Sequence, residues 1–340
     1  MKKAFITGIL GQDGFYLTKF LLEKGYEVWG MMRRSSSSLA LNEFTKEFGN
    51  SVKLRYGDMT DPSSLRKIIK ECMPDEIYNL AAQSHVRISF DVPEYTMAVN
   101  GMGVIYLLDA VKEIAPMAHT YQASTSELMG RATPPQNETT PFYPRSPYGV
   151  AKLQAYWAVV NYREAYNLFA CQGILYNHES IKRSENFVTR KITKAVAKYA
   201  LKKQKVLYLG NLDSKRDWGH SKDYTRAMWL INNYKIPTEF VIATGETHTI
   251  REFLEHAFKC INIDIVSNGK SGVEEVYIDK STGEVVVEID PRLYRPTEVD
   301  VLQGDATKAK TLLGWKSEVS FQQLVEMMVK SDYENEKNSQ

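Results

Sequence analysis

The sequence predicts an α/β protein, with an N-terminal Rossmann-type, doubly wound parallel sheet and a smaller mixed α/β C-terminal domain. Three observations carry this expectation. Strand-like and helical patterns alternate through the first half, and a glycine triplet lies between the first strand and the first helix. Past about residue 175 the pattern loosens into short strands and long polar connections.

Each element has a local reason. Lys3 to Thr7 is a short apolar run of strand length, and Tyr16 to Lys24 reads as a helix closed by Gly25. Glu27 to Met32 and Val52 to Tyr56 are the next strands. Asp61-Pro62 marks a helix start, with a capping carboxylate before a proline at the first helical position, and the helix runs over Ser63 to Cys72. A strand over Glu76 to Ala81, a helix over Gly103 to Ile114 and a strand over His119 to Ala123 follow. Ser146-Pro147 opens another helix by the same capping logic. Such alternation implies right-handed crossovers and a parallel sheet covered on both faces.

Later strands are expected over Val206 to Leu209 and Phe240 to Ala243, with a hairpin over Val273 to Ile289 turning at Ser281-Thr282-Gly283. Amphipathic helices are expected over Asn186 to Lys202, Ile250 to Ile261 and Phe321 to Lys330. No internal repeat or low-complexity linker separates the halves. The expected division is 1–175 for the first domain, rejoined by a segment near 210–245, then 176–330 for the second and a frayed tail over 331–340.

Bulk composition narrows the classes. The 340 residues are 43% hydrophobic and 25% charged with a formal net charge of +2, which suits a soluble globular chain and gives no electrostatic reason for a nucleic-acid or membrane partner. Cys72, Cys171 and Cys260 are far apart and match no zinc spacing, so no metal is expected and the thiols read as structural. The opening Met1-Lys2-Lys3 and a strand broken by Gly8 do not form a targeting segment; a cytoplasmic location is expected.

Gly8-Ile9-Leu10-Gly11-Gln12-Asp13-Gly14 has the spacing G-x-x-G-x-x-G between strand and helix. Small residues let backbone approach a pyrophosphate, and the helix N-terminus supplies oriented N–H groups, so a dinucleotide site is expected there. At the end of the second strand, where a carboxylate for a ribose hydroxyl would favour NAD, the chain has Arg33-Arg34-Ser35-Ser36. Guanidinium groups favour a 2′-phosphate, hence NADP; a solvated basic turn is the alternative. Asp58 and Met59 are placed to meet the adenine, and Leu80, Ala81, Ala82 and Ser84 the ribose and pyrophosphate. His85 reads as a structural histidine.

Tyr148 and Lys152 lie four apart on the helix opened by Ser146, so the phenol and the ammonium share one face. As a phenolate, Tyr148 could deprotonate an alcohol during hydride transfer. That needs its pKa to fall from about 10 by two to three units, roughly 3–4 kcal/mol, supplied by Lys152 and an oxidised nicotinamide. Ser124, Thr125, Ser126 and Glu127 follow the strand His119 to Ala123 on the same rim. The short hydroxyls suit sugar oxygens. Glu127 is the unusual member: oxidation followed by reduction needs no carboxylate, whereas elimination of water next to a ketone does. A solvated or capping carboxylate is the competing reading.

These features resemble the extended short-chain dehydrogenase/reductase superfamily and, more narrowly, the GDP-mannose 4,6-dehydratase family over nearly the whole chain. The carrying runs are TGILGQDG from Thr7, QASTSEL from Gln122, TTPFYPRSPYGVAK from Thr139, NHES from Asn177, NFVTRKI from Asn186, GNLDSKRDWGHSKDY from Gly210 and YRPTEVD from Tyr294. The resemblance implies that Thr125 holds the sugar O4 and Tyr148 takes its proton as hydride passes from C4 to NADP. Glu127 then removes the C5 proton and assists water loss from C6, and the hydride returns to C6, giving GDP-4-keto-6-deoxymannose. It further implies cofactor contacts at Tyr95, His178 and Arg183. Substrate contacts are implied at Ser84, Asn177, Val188, Lys191, Arg216, Arg295 and Glu298, with residues 176–330 as the nucleotide-sugar-binding part. The Arg33 to Ser38 loop is implied as a subunit contact in a homodimer or homotetramer.

The chain departs from the family pattern at Leu10, at Met129 and at Ile181-Lys182-Arg183-Ser184, the last two expected to line or adjoin the site. A 4-epimerase would keep Tyr148 and Lys152 without needing Glu127. A keto-sugar reductase would consume NADPH, a bifunctional enzyme would dehydrate and then reduce, and an NADP-sensing module would not need the full Thr, Glu, Tyr and Lys set.

Overall fold

The computed structural model describes residues 1–294 and 297–339. Its first half is a run of strand–helix units. β1 (Lys3–Thr7) leads through the glycine loop into α1 (Gln12–Glu23), and β2 (Glu27–Met32) into α2 (Ser38–Phe48). β3 (Val52–Tyr56) precedes α3 (Pro62–Cys72), where the Asp61 carboxylate accepts from the Ser63 and Ser64 N–H groups. β4 (Glu76–Asn79) is followed by the short helices α4 (Val86–Asp91) and α5 (Pro93–Met97), a π-turn, and α6 (Gly103–Ile114). β5 (His119–Ala123), α7 (Pro147–Tyr166) and β6 (Ala170–Leu175) complete this half.

The second half begins with β7 (Asn177–Glu179), α8 (Val188–Ala200), β8 (Leu207–Leu209), β9 (Lys215–Arg216) and β10 (Trp218–His220). α9 (Ser221–Asn232), β11 (Glu239–Ile242), β12 (His248–Thr249) and α10 (Ile250–Lys259) come next. β13 (Ile265–Ser267), β14 (Val276–Asp279), β15 (Val285–Ile289), β16 (Val301–Leu302), α11 (Thr307–Leu313) and α12 (Phe321–Asn338) close the chain.

Seven strands form one parallel sheet in the order β11-β6-β5-β4-β1-β2-β3. Side chains of β1 alternate between two cores: Ala4 and Ile6 face Leu17, Leu21 and Met228, whereas Phe5 faces Leu65, Ile69, Leu107 and Val111. A strand buried on both faces reads as a continuous apolar run, which is why Lys3 to Thr7 was legible. The order turns back between β4 and β1, and this is where an open parallel sheet leaves a crevice beyond its strand ends. Three small sheets, β10-β7, β12-β9-β16 and β13-β14-β15-β8, make up much of the remainder. β13-β14-β15-β8 packs with α8, α10 and α12 around Phe253, Phe258, Val287, Leu324 and Met328.

Several boundaries differ from expectation. α1 begins at Gln12, four residues before the expected Tyr16, because the glycine loop itself forms its first turn. β4 ends at Asn79 rather than Ala81, because the Leu80 and Ala81 N–H groups turn to the Thr7 hydroxyl at 3.1 Å each. α2 and α9 had no expected counterpart. α2 buries only Phe44 and Phe48, too sparse a pattern to be read as a helix. The tail expected to fray is helical to Asn338. Its reason lies outside the tail: Asp332 is buried against α8, accepting the Thr193 hydroxyl at 2.6 Å and pairing with Arg190 at 2.8 Å.

Candidate active site

The glycine loop is shaped for close approach. Gly8 has φ +67°, and a Cβ there would fall 2.9 Å from the Ala81 backbone; at Gly14 a Cβ would strike the Ile9 carbonyl at 2.3 Å. Glycine is required at both. Gly11 is exposed and opens α1 with no side chain capping the helix, which leaves the first-turn N–H groups to an anion. These features fit a dinucleotide pyrophosphate.

The side chains of Ile9, Gln12 and Asp13 have structural partners. Ile9 is fully buried against Gly30. Gln12 donates to the His178 carbonyl at 2.8 Å and accepts from the Ser180 hydroxyl at 2.9 Å, tying β7 down across α1. Asp13 faces His178 Nε2 at 2.9 Å and accepts from Ser221. His178 Nδ1 lies 2.7 Å from the Tyr176 carbonyl, so both ring nitrogens face acceptors. Burial opposes charge on this pair, but the mutual attraction and hydrogen bonds outweigh it: His178 is raised above its ordinary value and Asp13 lowered.

Around this loop, Arg33, Arg34 and Ser35 are exposed beyond β2, and Arg33 donates to the Tyr95 hydroxyl. Asp58 accepts from both the N–H and the hydroxyl of Thr60, a local turn, while the Met59 side chain belongs to the core under α6. Leu80, Ala82 and Ser84 line the cavity next to the loop.

That cavity, about 340 Å³, opens beyond the ends of β4, β5 and β6. Thr125, Ser126, Glu127, Tyr148 and Lys152 line it together with Asn177, His178, Arg183, Val188, Lys191, Arg216 and Glu298. Residues thus gather from both halves of the chain. Arg295 lies outside the described residues.

Tyr148 and Lys152 stand on α7, whose first turn is fully satisfied: Ser146 accepts from Gly149 N–H at 3.0 Å and Ser89 accepts from Tyr148 N–H at 3.2 Å. The Thr125 hydroxyl accepts from the Glu127 N–H at 3.2 Å and lines the cavity beside Tyr148. Lys152 Nζ donates to the Ala123 carbonyl at 2.8 Å and sits 5.9 Å from the Tyr148 ring centre. Glu127 follows in a 3₁₀ turn and is 7% exposed, so the solvated-carboxylate reading fails.

The expected drop in the phenol's pKa does not arise from this chain's own groups. Burial, against the pull of the Thr125 hydroxyl and together with the nearby Glu127, pushes Tyr148 up to about 12. Burial also brings Lys152 down to about 8. The two groups share the cavity wall, but Lys152 directs one N–H at the Ala123 carbonyl and is not among the groups that lower the phenol. A cation placed beside the phenol would oppose this effect of burial.

On the opposite wall, Arg216 donates to the Lys215 carbonyl at 2.9 Å and meets Glu298 at 3.4 Å. Burial lowers Lys191, partly offset by Asp290. Arg183 lies over the Phe187 ring at 3.4 Å and 2.9 Å from Glu179. His85, expected to be structural, also lines the cavity. It caps α4 through Nδ1, which accepts from Ile88 N–H, and its Nε2 meets the Asn186 carbonyl at 3.1 Å. Met129, expected to line or adjoin the site, is absent from the cavity wall and fully buried among Leu128, Tyr156, Ile174 and Val241. Its side chain is taken up by the core between α7, β6 and β11, with Tyr156, Ile174 and Val241. Residues not anticipated singly include Arg87, Asn211, Ser214 and Trp218. Asn211, Ser214 and Trp218 fall inside the Gly210 run, whose polar density was the available signal.

A parallel sheet with a glycine-loop helix at one strand end and a Tyr-x-x-x-Lys helix at another defines an extended short-chain dehydrogenase/reductase. Solved structures agree on the fold: UDP-glucose 4-epimerase from Thermotoga maritima superposes with a TM-score of 0.81 at 21% identity, covering 99% of this chain and 100% of that one. dTDP-glucose 4,6-dehydratase from Bacillus anthracis does so at 0.79 and 21%, covering 99% and 98%. Within that class the chain belongs to the GDP-mannose 4,6-dehydratase family, whose model matches residues 5–328. It is 58% identical to the human GDP-mannose 4,6 dehydratase over 97% of this chain and 91% of that protein. It is 55% identical to the Drosophila melanogaster GDP-mannose 4,6 dehydratase over 98% and 86%.

Proposed function

We propose that this chain is a hydro-lyase that converts GDP-mannose to GDP-4-keto-6-deoxymannose with NADP as its resident cofactor. The observation that carries the reading is the buried carboxylate of Glu127 sharing one cavity with Tyr148, Lys152 and Thr125 at the β5 end. In this reading Gly8, Gly11 and the N-terminus of α1 hold the cofactor's pyrophosphate, with Arg33 and Arg34 toward the 2′-phosphate. Arg183 borders the anionic part of the ligands.

A bound nicotinamide supplies reversible hydride acceptance and, when oxidised, a positive charge beside the phenol. Thr125 orients the sugar O4, and Tyr148 takes the proton from that oxygen. Lys152, anchored on the Ala123 carbonyl, holds positive charge below the ring of Tyr148. Glu127 takes the proton from C5 once C4 is a ketone, and assists departure of the C6 hydroxyl as water. Burial keeps bulk water from this carboxylate, so the proton it takes stays available for the leaving group.

The largely exposed Arg33 to Ser38 segment supports a homo-oligomer contact there, and the three free cysteines suit a cytoplasmic setting. Incubating the protein with GDP-mannose without added reductant, and following product mass, tests the main reading. Loss of one water is expected; unchanged GDP-mannose with folded, NADP-loaded protein sinks it. Tighter binding of NAD than of NADP would remove the cofactor assignment alone.

A further inference from the structure

We infer that the C-terminal helix acts on the site from behind: Asp332 of α12, through Arg190 of α8, positions the loop that carries Arg183 into the cavity. This rests on the reading of Arg183 as a ligand contact.

Neither Asp332 nor Arg190 is on the cavity wall, and both are buried. Arg190 Nη2 lies 2.8 Å from Asp332 Oδ1, while its Nη1 donates to the Ile181 carbonyl and, at 3.5 Å, to the Arg183 carbonyl. A guanidinium is a rigid planar fork, so a carboxylate fixed on one edge sets the direction of the other edge. Asp332 is itself fixed, because the Thr193 hydroxyl occupies its second oxygen at 2.6 Å. The loop held this way spans Ser180 to Ser184, and its Arg183 side chain is stacked on Phe187 and paired with Glu179, all three lining the cavity.

The rest of the tail reinforces the clamp, with Glu336 3.5 Å from Lys194 and its carbonyl accepting from Lys203. At the loop's outer side, Lys182 pairs with Glu43 of α2 at 2.8 Å. Arg183 therefore presents a direction set by a residue within ten of the C-terminus. A buried cation that loses its carboxylate is left facing carbonyls alone, and the loop loses its fixed donor.

The test is a double-mutant cycle in the full chain with D332N, R183A and both together, measuring KM for GDP-mannose, the NADP dissociation constant and kcat. R183A is expected to weaken at least one of the two affinities. D332N is expected to weaken the same affinity by about tenfold with kcat within about twofold, and to add nothing on the R183A background. Additive losses, or an unchanged affinity in D332N when R183A is impaired, overturn the positioning role. Unchanged affinities in R183A overturn instead the reading of Arg183 as a ligand contact. R190K keeps the charge against Asp332 but loses the fork; it is expected to reproduce the D332N loss, and wild-type affinity in folded R190K also overturns the inference.

Discussion

The two walls of the cavity are built differently. On one wall, Thr125, Glu127, Tyr148 and Lys152 come from adjoining elements of the large sheet, at the end of β5 and the start of α7. On the other, Arg216, Glu298 and Lys191 come from a two-residue strand, a loop and a helix, assembled through small sheets. The first wall is rigid because each group is fixed by backbone: Lys152 by Ala123, Tyr148 by its helix cap, Glu127 by its turn. The second adds side-chain pairing to backbone contact: Arg216 donates to the Lys215 carbonyl at 2.9 Å and meets Glu298 at 3.4 Å. In the proposed reading the difference is a division of labour, with the groups assigned to bond making on regular elements of the large sheet and those assigned to recognition on short strands and loops.

The largest effect should come from breaking the first wall. Glu127→Gln is expected to lower kcat by about a thousandfold, the range of lost general acid–base catalysis, while KM and NADP binding hold. Mass detection of dehydrated product checks it, and an active variant reassigns the C5 base. A smaller effect, of the opposite kind, is expected on the second wall. Arg216→Met should raise KM for GDP-mannose by about ten- to a hundredfold, as for a lost charged hydrogen bond, with kcat nearly unchanged. A change confined to kcat would erase the proposed division.

Between the walls, the Asp13–His178 pair ties α1 to β7, and its contribution is to stability. His178 is raised above 6.5, so its share is complete below that value and fades as pH rises through the folded pKa. Asp13 is lowered below 3.8, so its share is complete above that value and fades as pH falls through the folded pKa. The full contribution therefore spans roughly pH 4 to 6.5. Asp13→Asn is expected to cost about 1–2 kcal/mol in urea unfolding near pH 5.5 and less near pH 9. Equal losses at both values would remove the charged pair. Smallest of all, Met129→Leu should change stability by less than about 1.5 kcal/mol and leave kcat and KM alone, as a volume-conserving swap in a core.

Legibility followed the same contrast. Ser146-Pro147 and Asp61-Pro62 announced helices whose caps the structure contains, because a cap depends on residues within one turn. Buried strands such as β1 and β5 were open to reading, whereas β6, ACQGIL, buried at every position, had no expected counterpart. Glu127 was legible as a residue and ambiguous as a role, since its burial depends on where α7 packs. Asp58 and Met59 sit at the expected strand end, and the structure adds a local turn held by one Asp58 oxygen and a core position for the Met59 side chain. No local pattern foretells those two additional partners.

By itself, the sequence determined the parallel sheet, the glycine turn and the Tyr148–Lys152 face, all consequences of short-range periodicity and backbone sterics. Only the tertiary structure decided that residues 331–338 are an ordered helix and that Met129 turns inward. It also decided that burial drives Tyr148 up and Lys152 down, away from what their spacing suggested. The physical reason is common to all three. Burial and ion pairing depend on which distant segments meet, and the Arg190–Asp332 pair joins residues 142 positions apart along a path that no helical or strand period encodes.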